Sequence, residues 1–252
     1  MATMLPVRTL TWDGCLNIRD LGGLPTAGGG ATRFGSVVRA DSIRQLSDEG
    51  WEALVGYGVL RIVDLRFDSE LAADPPQELP VEVVHVPVLP EPDSSHWTEI
   101  DAIGDAAPDA ATATRDVYLE CLERFGSAFA RAVEAVAGAP EGGVVIHCLG
   151  GKDRTGLLSG LLLRLAEVPI AEVAADYALS AERLVIWSTP WIEGAENEME
   201  RRRRLRISQT PGPAMTAVLE ELERRHGSVD GYLSTAGMEE VTALRIRERL
   251  QE

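Results

Sequence analysis

Lysine is almost missing from this chain. Lysine and arginine together number 24 among 252 residues, and a single one of them is lysine, Lys152. Cysteine is scarce as well. Cys15, Cys121 and Cys148 make three in all, too few and too odd a number for a disulfide framework. No apolar run approaches the roughly 20 residues that a membrane-spanning helix requires, and the N-terminus carries no basic-then-apolar signal pattern. Those absences make a cytoplasmic protein without an integral membrane segment the expectation. Positive charge is short overall: the formal net charge is −16, which argues against nucleic acid or an anionic membrane as a standing partner. What is present, with hydrophobic residues at 45%, can bury a sizeable core in one domain.

The lone lysine lies in the most informative stretch, His147-Cys148-Leu149-Gly150-Gly151-Lys152-Asp153-Arg154-Thr155-Gly156. Val144-Val145-Ile146 ahead of it reads as a short buried strand, and Thr155 to about Val168 after it as an apolar helix. A strand, a tight loop and a helix N-terminus together can hold an oxyanion against a thiolate. Gly150 and Gly151 can take positive φ and let the backbone approach a ligand. The amides from Leu149 to Gly156 can then converge as an anion nest, and Arg154 can grip two phosphate oxygens with its planar fork. Cys148, facing these donors, is expected to ionise below the free-thiol value of about 8.5 and to act as nucleophile. Since the chain is acidic and a phosphorylated substrate is an anion, capture has to be local. Lys152 belongs to that capture site.

Two other readings of the decapeptide fail. A nucleotide-binding P-loop needs glycine six residues before its lysine and Ser or Thr after it; here those positions are Ile146 and Asp153. A zinc site needs spaced ligands, whereas His147 and Cys148 are adjacent with no second pair nearby. No metal and no cofactor are expected. His147, at the strand end, reads as a backbone hydrogen-bonding residue that shapes the loop rather than as a base. Thr155 has two readings, a hydroxyl bonded to the Cys148 sulfur or a helix cap.

His-Cys-x-x-Gly-Lys-Asp-Arg-Thr-Gly resembles the signature of the bacterial tyrosine and phosphoinositide phosphatase family. Similar stretches run nearly end to end, in the family's order: residues 17–23, 38–42 and 62–66, then Asp176-Tyr177 with Ser180, then Gly227-Ser228 through Tyr232 to Gly237. Gly150 departs from the alanine expected there, which should only loosen the loop slightly. The resemblance implies an α/β, tyrosine-phosphatase-like fold over residues 1–252, with a mostly parallel sheet of about four to five strands flanked by helices. It implies hydrolysis of phosphotyrosine through a phosphocysteine, with phosphoserine, phosphothreonine and phosphoinositides as further candidates and phosphate- or vanadate-type anions as ligands. The Trp-Pro-Asp acid loop of many tyrosine phosphatases is missing, since Pro190-Trp191 is followed by Ile192. Asp153 is then the general acid that the resemblance favours. Asp64 is the runner-up, with a structural pairing to Arg66 as its equal alternative. Asn17, Arg19 and Asp20 are implied braces of the anion loop, weighed against plain turn chemistry ahead of Gly22-Gly23. Two rival functions stay open: a non-catalytic phosphate-recognition module, and a sulfur-transfer or arsenate-reducing enzyme with a similar loop.

Along the chain, residues 34–39, 59–64 and 81–86 read as strands, with a helix starting near Ser47. Residues 90–112 carry Pro90, Pro92 and Pro108, acids and alanines without a clean period, and read as a loop or lid. Residues 114–137 form a long amphipathic helix whose apolar face takes Cys121 into the core, ended by Gly138 and Pro140. Helical additions follow after 168, over 170–186, 190–206, 214–226 and beyond Met238. The Arg201–Arg204 run with Arg206 reads as a solvated helix face, with i,i+4 pairs to Glu198 and Glu200; a docking strip for phosphorylated headgroups or peptides is the lesser reading. No internal repeat or linker divides the chain, and nothing in it fixes an oligomeric state.

Overall fold

Short runs of β-branched residues build the centre of the molecule. The computed structural model describes residues 7–74 and 81–251. In it, β1 (Arg19–Asp20), β2 (Val37–Ala40), β3 (Val59–Asp64), β4 (Glu82–His85) and β5 (Gly143–His147) form one sheet in the order β1-β2-β5-β3-β4. β1 runs antiparallel to β2, and every other pairing is parallel. The register aligns Ala40, His147 and Asp64 at the same carboxyl edge. Three loops therefore leave that edge side by side, which is where open parallel sheets place ligands.

The uninterrupted apolar run of β5 follows from burial on both faces. Val144 and Ile146 point into the larger core, and Val145 points the other way into a smaller one with Ile18, Val38 and Ile62. The smaller core is covered by α1 (Asp48–Gly56), whose N-cap Ser47 accepts the Gly50 amide at 3.2 Å. After β3 comes α2 (Asp68–Ala73), and after β4 come α3 (His96–Ala106) and the long α4 (Ala110–Ala137). The larger core takes α4, α5 (Asp153–Leu165), α6 (Ile170–Arg183), α9 (Gly212–His226), α10 (Val229–Thr235) and α11 (Glu240–Leu250). Between α6 and α9 lie α7 (Val185–Glu193) and α8 (Glu198–Ser208). Among the described residues, no helix is long and apolar enough to cross a membrane.

The segment expected as a loop over 90–112 instead holds α3 and the start of α4. Its helical period is hard to read because only Ile100 and Gly104 are buried. Gly104 lets the helix lie close on α4, where an added β-carbon would come within 3.2 Å of Val117 Cγ2. The helices expected over 170–186 and 190–206 divide differently as well. α6 ends at Arg183, α7 runs on with Pro190 inside it, and α8 restarts where Asn197 accepts the Glu200 amide at 2.9 Å. α4 kinks at Phe125 (φ −118°, ψ 20°). Tyr232 supplies the cause: its hydroxyl takes the Leu122 carbonyl at 2.7 Å, the acceptor an unbroken helix would give to Gly126.

Candidate active site

The decapeptide spans the end of β5, a loop, and the first turn of α5. Gly151 has φ +62°, and an added β-carbon would lie 2.4 Å from the Ala40 carbonyl oxygen. Only glycine fits there. Gly150 has an ordinary φ, with Leu184 Cδ1 at 3.9 Å from the same hypothetical atom, so alanine would fit. The loop is held by its carbonyls. Ser42 N donates to Leu149 O at 2.9 Å, and Asn17 Nδ2 donates to Gly150 O and Gly151 O, each at 3.0 Å. Arg39 Nη2 adds a second bond to Gly151 O at 2.8 Å. Among the described residues, the amides of Leu149, Gly150, Gly151 and Lys152 make no hydrogen bond within the protein. Successive amides left unpaired in this way are the kind of donor set that an anion can bind.

The braces are themselves anchored on α6. Asp176 is buried among Arg8, Arg19 and Arg39, with Arg19 Nε at 2.9 Å and Arg39 Nη1 at 2.7 Å. Burial alone would raise its proton affinity, but the three guanidiniums outweigh that and hold its carboxyl far below the ordinary range. Arg19 Nη1 also donates to Asn17 Oδ1 at 2.7 Å. Asn17 and Arg19 thus both reach the loop, directly and through Asp176. Asp20 goes elsewhere: it accepts the amides of Gly22 at 2.6 Å and Gly35 at 2.7 Å, together with the Tyr57 hydroxyl. That is turn chemistry.

Cys148 sits at the strand end, 3% exposed. Arg154 is bound end-on by Glu70, Nη1 to Oε2 at 2.5 Å and Nη2 to Oε1 at 2.9 Å, and lies over the Phe67 ring at 4.1 Å. Burial would weaken the hold of this guanidinium on its proton, but the neighbouring Cys148 sulfur and the bound Glu70 carboxylate reverse that. Asp64 is fully committed. It is buried, pairs with Arg66 through Nε at 3.0 Å and Nη2 at 2.8 Å, and lies 3.6 Å from His147 Nε2. Its surroundings favour the anion, the charges and donors of His147 and Arg66 outweighing desolvation. That is the structural pairing with Arg66. His147 is buried, its Nδ1 is 3.2 Å from the Cys148 carbonyl, and burial pushes its proton affinity below the ordinary value against the pull of Asp64. Thr155 makes neither expected contact: its Oγ1 is buried without a hydrogen-bond partner among the described residues, and Lys152 is the capping residue of α5.

Lys152, Asp153 and Arg154 form the polar end of a cavity of about 320 Å³. Its walls are Phe67, Leu89, Trp97, Val117, Leu157 and Ile207, which are apolar. Asp153 Oδ1 accepts from Lys152 Nζ at 2.6 Å and from the Tyr118 hydroxyl at 2.5 Å. Desolvation pushes this carboxyl up; the Lys152 ammonium and those two bonds push it down and win, leaving it below its ordinary value. At the cavity mouth α8 meets α3, with Arg203 paired to Asp101 at 2.9 Å and Arg206 to Asp105. The arginine run is thus divided. Arg202 and Arg204 make the i,i+4 pairs to Glu198 and Glu200, while Arg203 and Arg206 line the cavity.

Sequence reasoning passed over Glu70 and Tyr118. Glu70 had a signal, the capping-box spacing: its Oε2 also accepts the Phe67 amide at 2.8 Å. Tyr118 had a subtler one, a hydroxyl on an otherwise apolar helix face, which must find a partner when buried. The other cysteines are poor thiolates. Burial and Asp41 push Cys15 far up, and burial with Asp153 nearby pushes Cys121 up to about 12.

With this geometry in view, comparison with known proteins is consistent along the whole chain. The tyrosine phosphatase family profile matches residues 10–252. A tyrosine-protein phosphatase of Nostoc commune is 28% identical over 234 aligned residues, covering 84% of this chain and 73% of its own. The triple specificity protein phosphatase PtpB of Mycobacterium tuberculosis is 27% identical over an alignment of 281 residues, covering 93% of this chain and 96% of its own. The chain therefore belongs to the tyrosine phosphatase family and is a phosphoric monoester hydrolase.

Proposed function

We propose that the protein hydrolyses aryl phosphates, phosphotyrosine first among them, by two displacements at Cys148. The observation that carries this reading is the Cys148–Arg154 loop, whose carbonyls at Leu149, Gly150 and Gly151 are bound while four successive amides have no partner among the described residues. A phosphate oxygen set among those amides and the side edge of Arg154 brings phosphorus over the sulfur. The sulfur attacks, the P–O bond to the leaving group breaks, and negative charge on the equatorial oxygens is met by preorganised donors. Glu70 keeps the guanidinium turned to that task. Asp153 protonates the leaving oxygen and then takes a proton from the water that cleaves the phosphocysteine. In the resting site this carboxyl is ionised at neutral pH. A bound phosphate engages Lys152 and Arg154 and adds negative charge of its own, and both effects raise the affinity of Asp153 for a proton.

The apolar walls of the cavity suit an aromatic ring carried on the phosphate. Phosphoserine, phosphothreonine and phosphoinositides are secondary substrates in this reading, which takes support from the triple specificity in the name of the mycobacterial relative. The test is hydrolysis of an aryl phosphate in excess chelator. Activity blocked by vanadate and abolished in Cys148→Ser is the expected result. Binding of phosphate without turnover would favour the recognition module, and arsenate reduction or sulfur transfer in place of hydrolysis would favour the other rival. For the acid, Asp153→Asn is expected to remove the basic limb of the pH–rate profile for a poor leaving group, and Asp64→Asn is not.

A further inference from the structure

We propose that Tyr118 is a positioning residue that orients Asp153 for proton transfer through a chain of two tyrosine hydroxyls; the inference rests on Asp153 being the general acid. Tyr118 stands on α4, 5% exposed, and donates to Asp153 Oδ1 at 2.5 Å. Its oxygen lies 2.8 Å from the hydroxyl of Tyr177 on α6, which is 1% exposed. Since the Tyr118 proton goes to the carboxylate, the Tyr177 proton goes to Tyr118, and the chain has one direction. The rings meet edge to face, 6.0 Å between centroids at 76°, a packing that fixes both hydroxyls.

Lys152 Nζ occupies the same oxygen, Oδ1, at 2.6 Å. One carboxylate oxygen thus holds two donors, while Oδ2 has no hydrogen bond among the described residues. A proton added to this group goes to Oδ2, the oxygen free to face a leaving group. The chain also couples the acid to the loop. Tyr177 adjoins Asp176, the anchor of Arg19 and Arg39, and its ring lies where a β-carbon on Gly156 would come within 3.0 Å. Both tyrosines remain protonated donors, Tyr118 well above its ordinary value through burial and the Asp153 charge, and Tyr177 raised by burial in the same way.

Tyr118→Phe keeps the ring and removes the bond. The readout is kcat/KM, which reports the first displacement, across aryl phosphates from p-nitrophenyl phosphate to phenyl phosphate. A positioning role predicts a loss under about threefold for p-nitrophenyl phosphate, which leaves unaided, and above about tenfold for phenyl phosphate, which needs the acid. The basic limb of the phenyl phosphate profile should also move to higher pH, because a carboxylate that loses a donor holds its proton more tightly. Tyr177→Phe, one link back, should show the same pattern more weakly, and stands in if Tyr118→Phe does not fold. Equal losses for both substrates with an unmoved limb would overturn the inference while Asp153→Asn still shows leaving-group dependence. If Asp153→Asn shows none, the acid assignment fails first and the inference with it.

Discussion

At the scale of single residues, the two loop glycines separate cleanly. Gly151 has positive φ and the Ala40 carbonyl against it, whereas Gly150 has room for a methyl group. Gly150→Ala, restoring the residue the family resemblance leads one to expect, should be neutral or stabilising by up to about 1 kcal/mol through a less flexible unfolded chain. Gly151→Ala should destabilise by about 1–3 kcal/mol and lower kcat/KM by at least about tenfold, because the loop must leave the Ala40 backbone. Urea unfolding and steady-state kinetics on both variants check the pair, and equal tolerance at the two positions would contradict the loop geometry. The loop's conformation was legible because it is written locally, in a buried strand, paired glycines and a helix start within about ten residues. Asp64 and Thr155 were less so. Which partner a buried carboxylate or hydroxyl takes depends on residues brought in by the fold, and for Asp64 that partner proved to be Arg66, two positions away.

At the scale of elements, α3 and α8 close the cavity mouth through two ion pairs. The Arg203–Asp101 pair is about half exposed on both sides, and pairs of that kind contribute roughly 0–1 kcal/mol each. Replacing Asp101 and Asp105 by Asn together should therefore shift Tm little. It should raise kcat/KM for a phosphotyrosine peptide by about threefold or more relative to a small aryl phosphate, as the mouth widens for the bulkier substrate. Equal changes for both substrates would argue that the two helices do not gate access. α3 was not legible in the sequence because its buried stripe is two residues wide, one of them glycine. The strands were legible because each centres on a short run of β-branched residues, Val144-Val145-Ile146 in β5 and Ile62-Val63 in β3, buried in both cases. The break between α7 and α8, at Gly194 with Asn197 capping α8, was not legible because neither helix carries a buried apolar stripe to mark its bounds.

At the scale of the whole molecule, the buried Asp176 cluster joins the N-terminal segment, β2 and α6 to the anion loop. Asp176→Asn leaves Arg19 and Arg39 buried without their counter-charge and should cost about 3–5 kcal/mol in urea unfolding. The pH dependence has a definite sign. The folded-state carboxyl binds its proton less tightly than the unfolded one, so its stabilising contribution is complete above the ordinary Asp range and is lost as pH falls through it. The gap between wild type and Asp176→Asn should narrow on acidification below about pH 4, and a gap that widens would contradict the assignment. Net charge sets a matching condition on function. With a formal −16 over the chain, the proposed capture of an anionic substrate by Lys152, Arg154 and the loop amides works against the field of the rest and is confined to one spot.

In the proposed mechanism that spot is defined by one bond, the transient one between phosphorus and the Cys148 sulfur. Rapid quenching of the enzyme with a radiolabelled aryl phosphate, in excess chelator, followed by peptide mapping, tests it directly. Label on the peptide containing Cys148, appearing in a burst approaching one equivalent and absent in Cys148→Ser, is the predicted result. Turnover that persists in Cys148→Ser, or that proceeds with no labelled protein at any quench time, would contradict it.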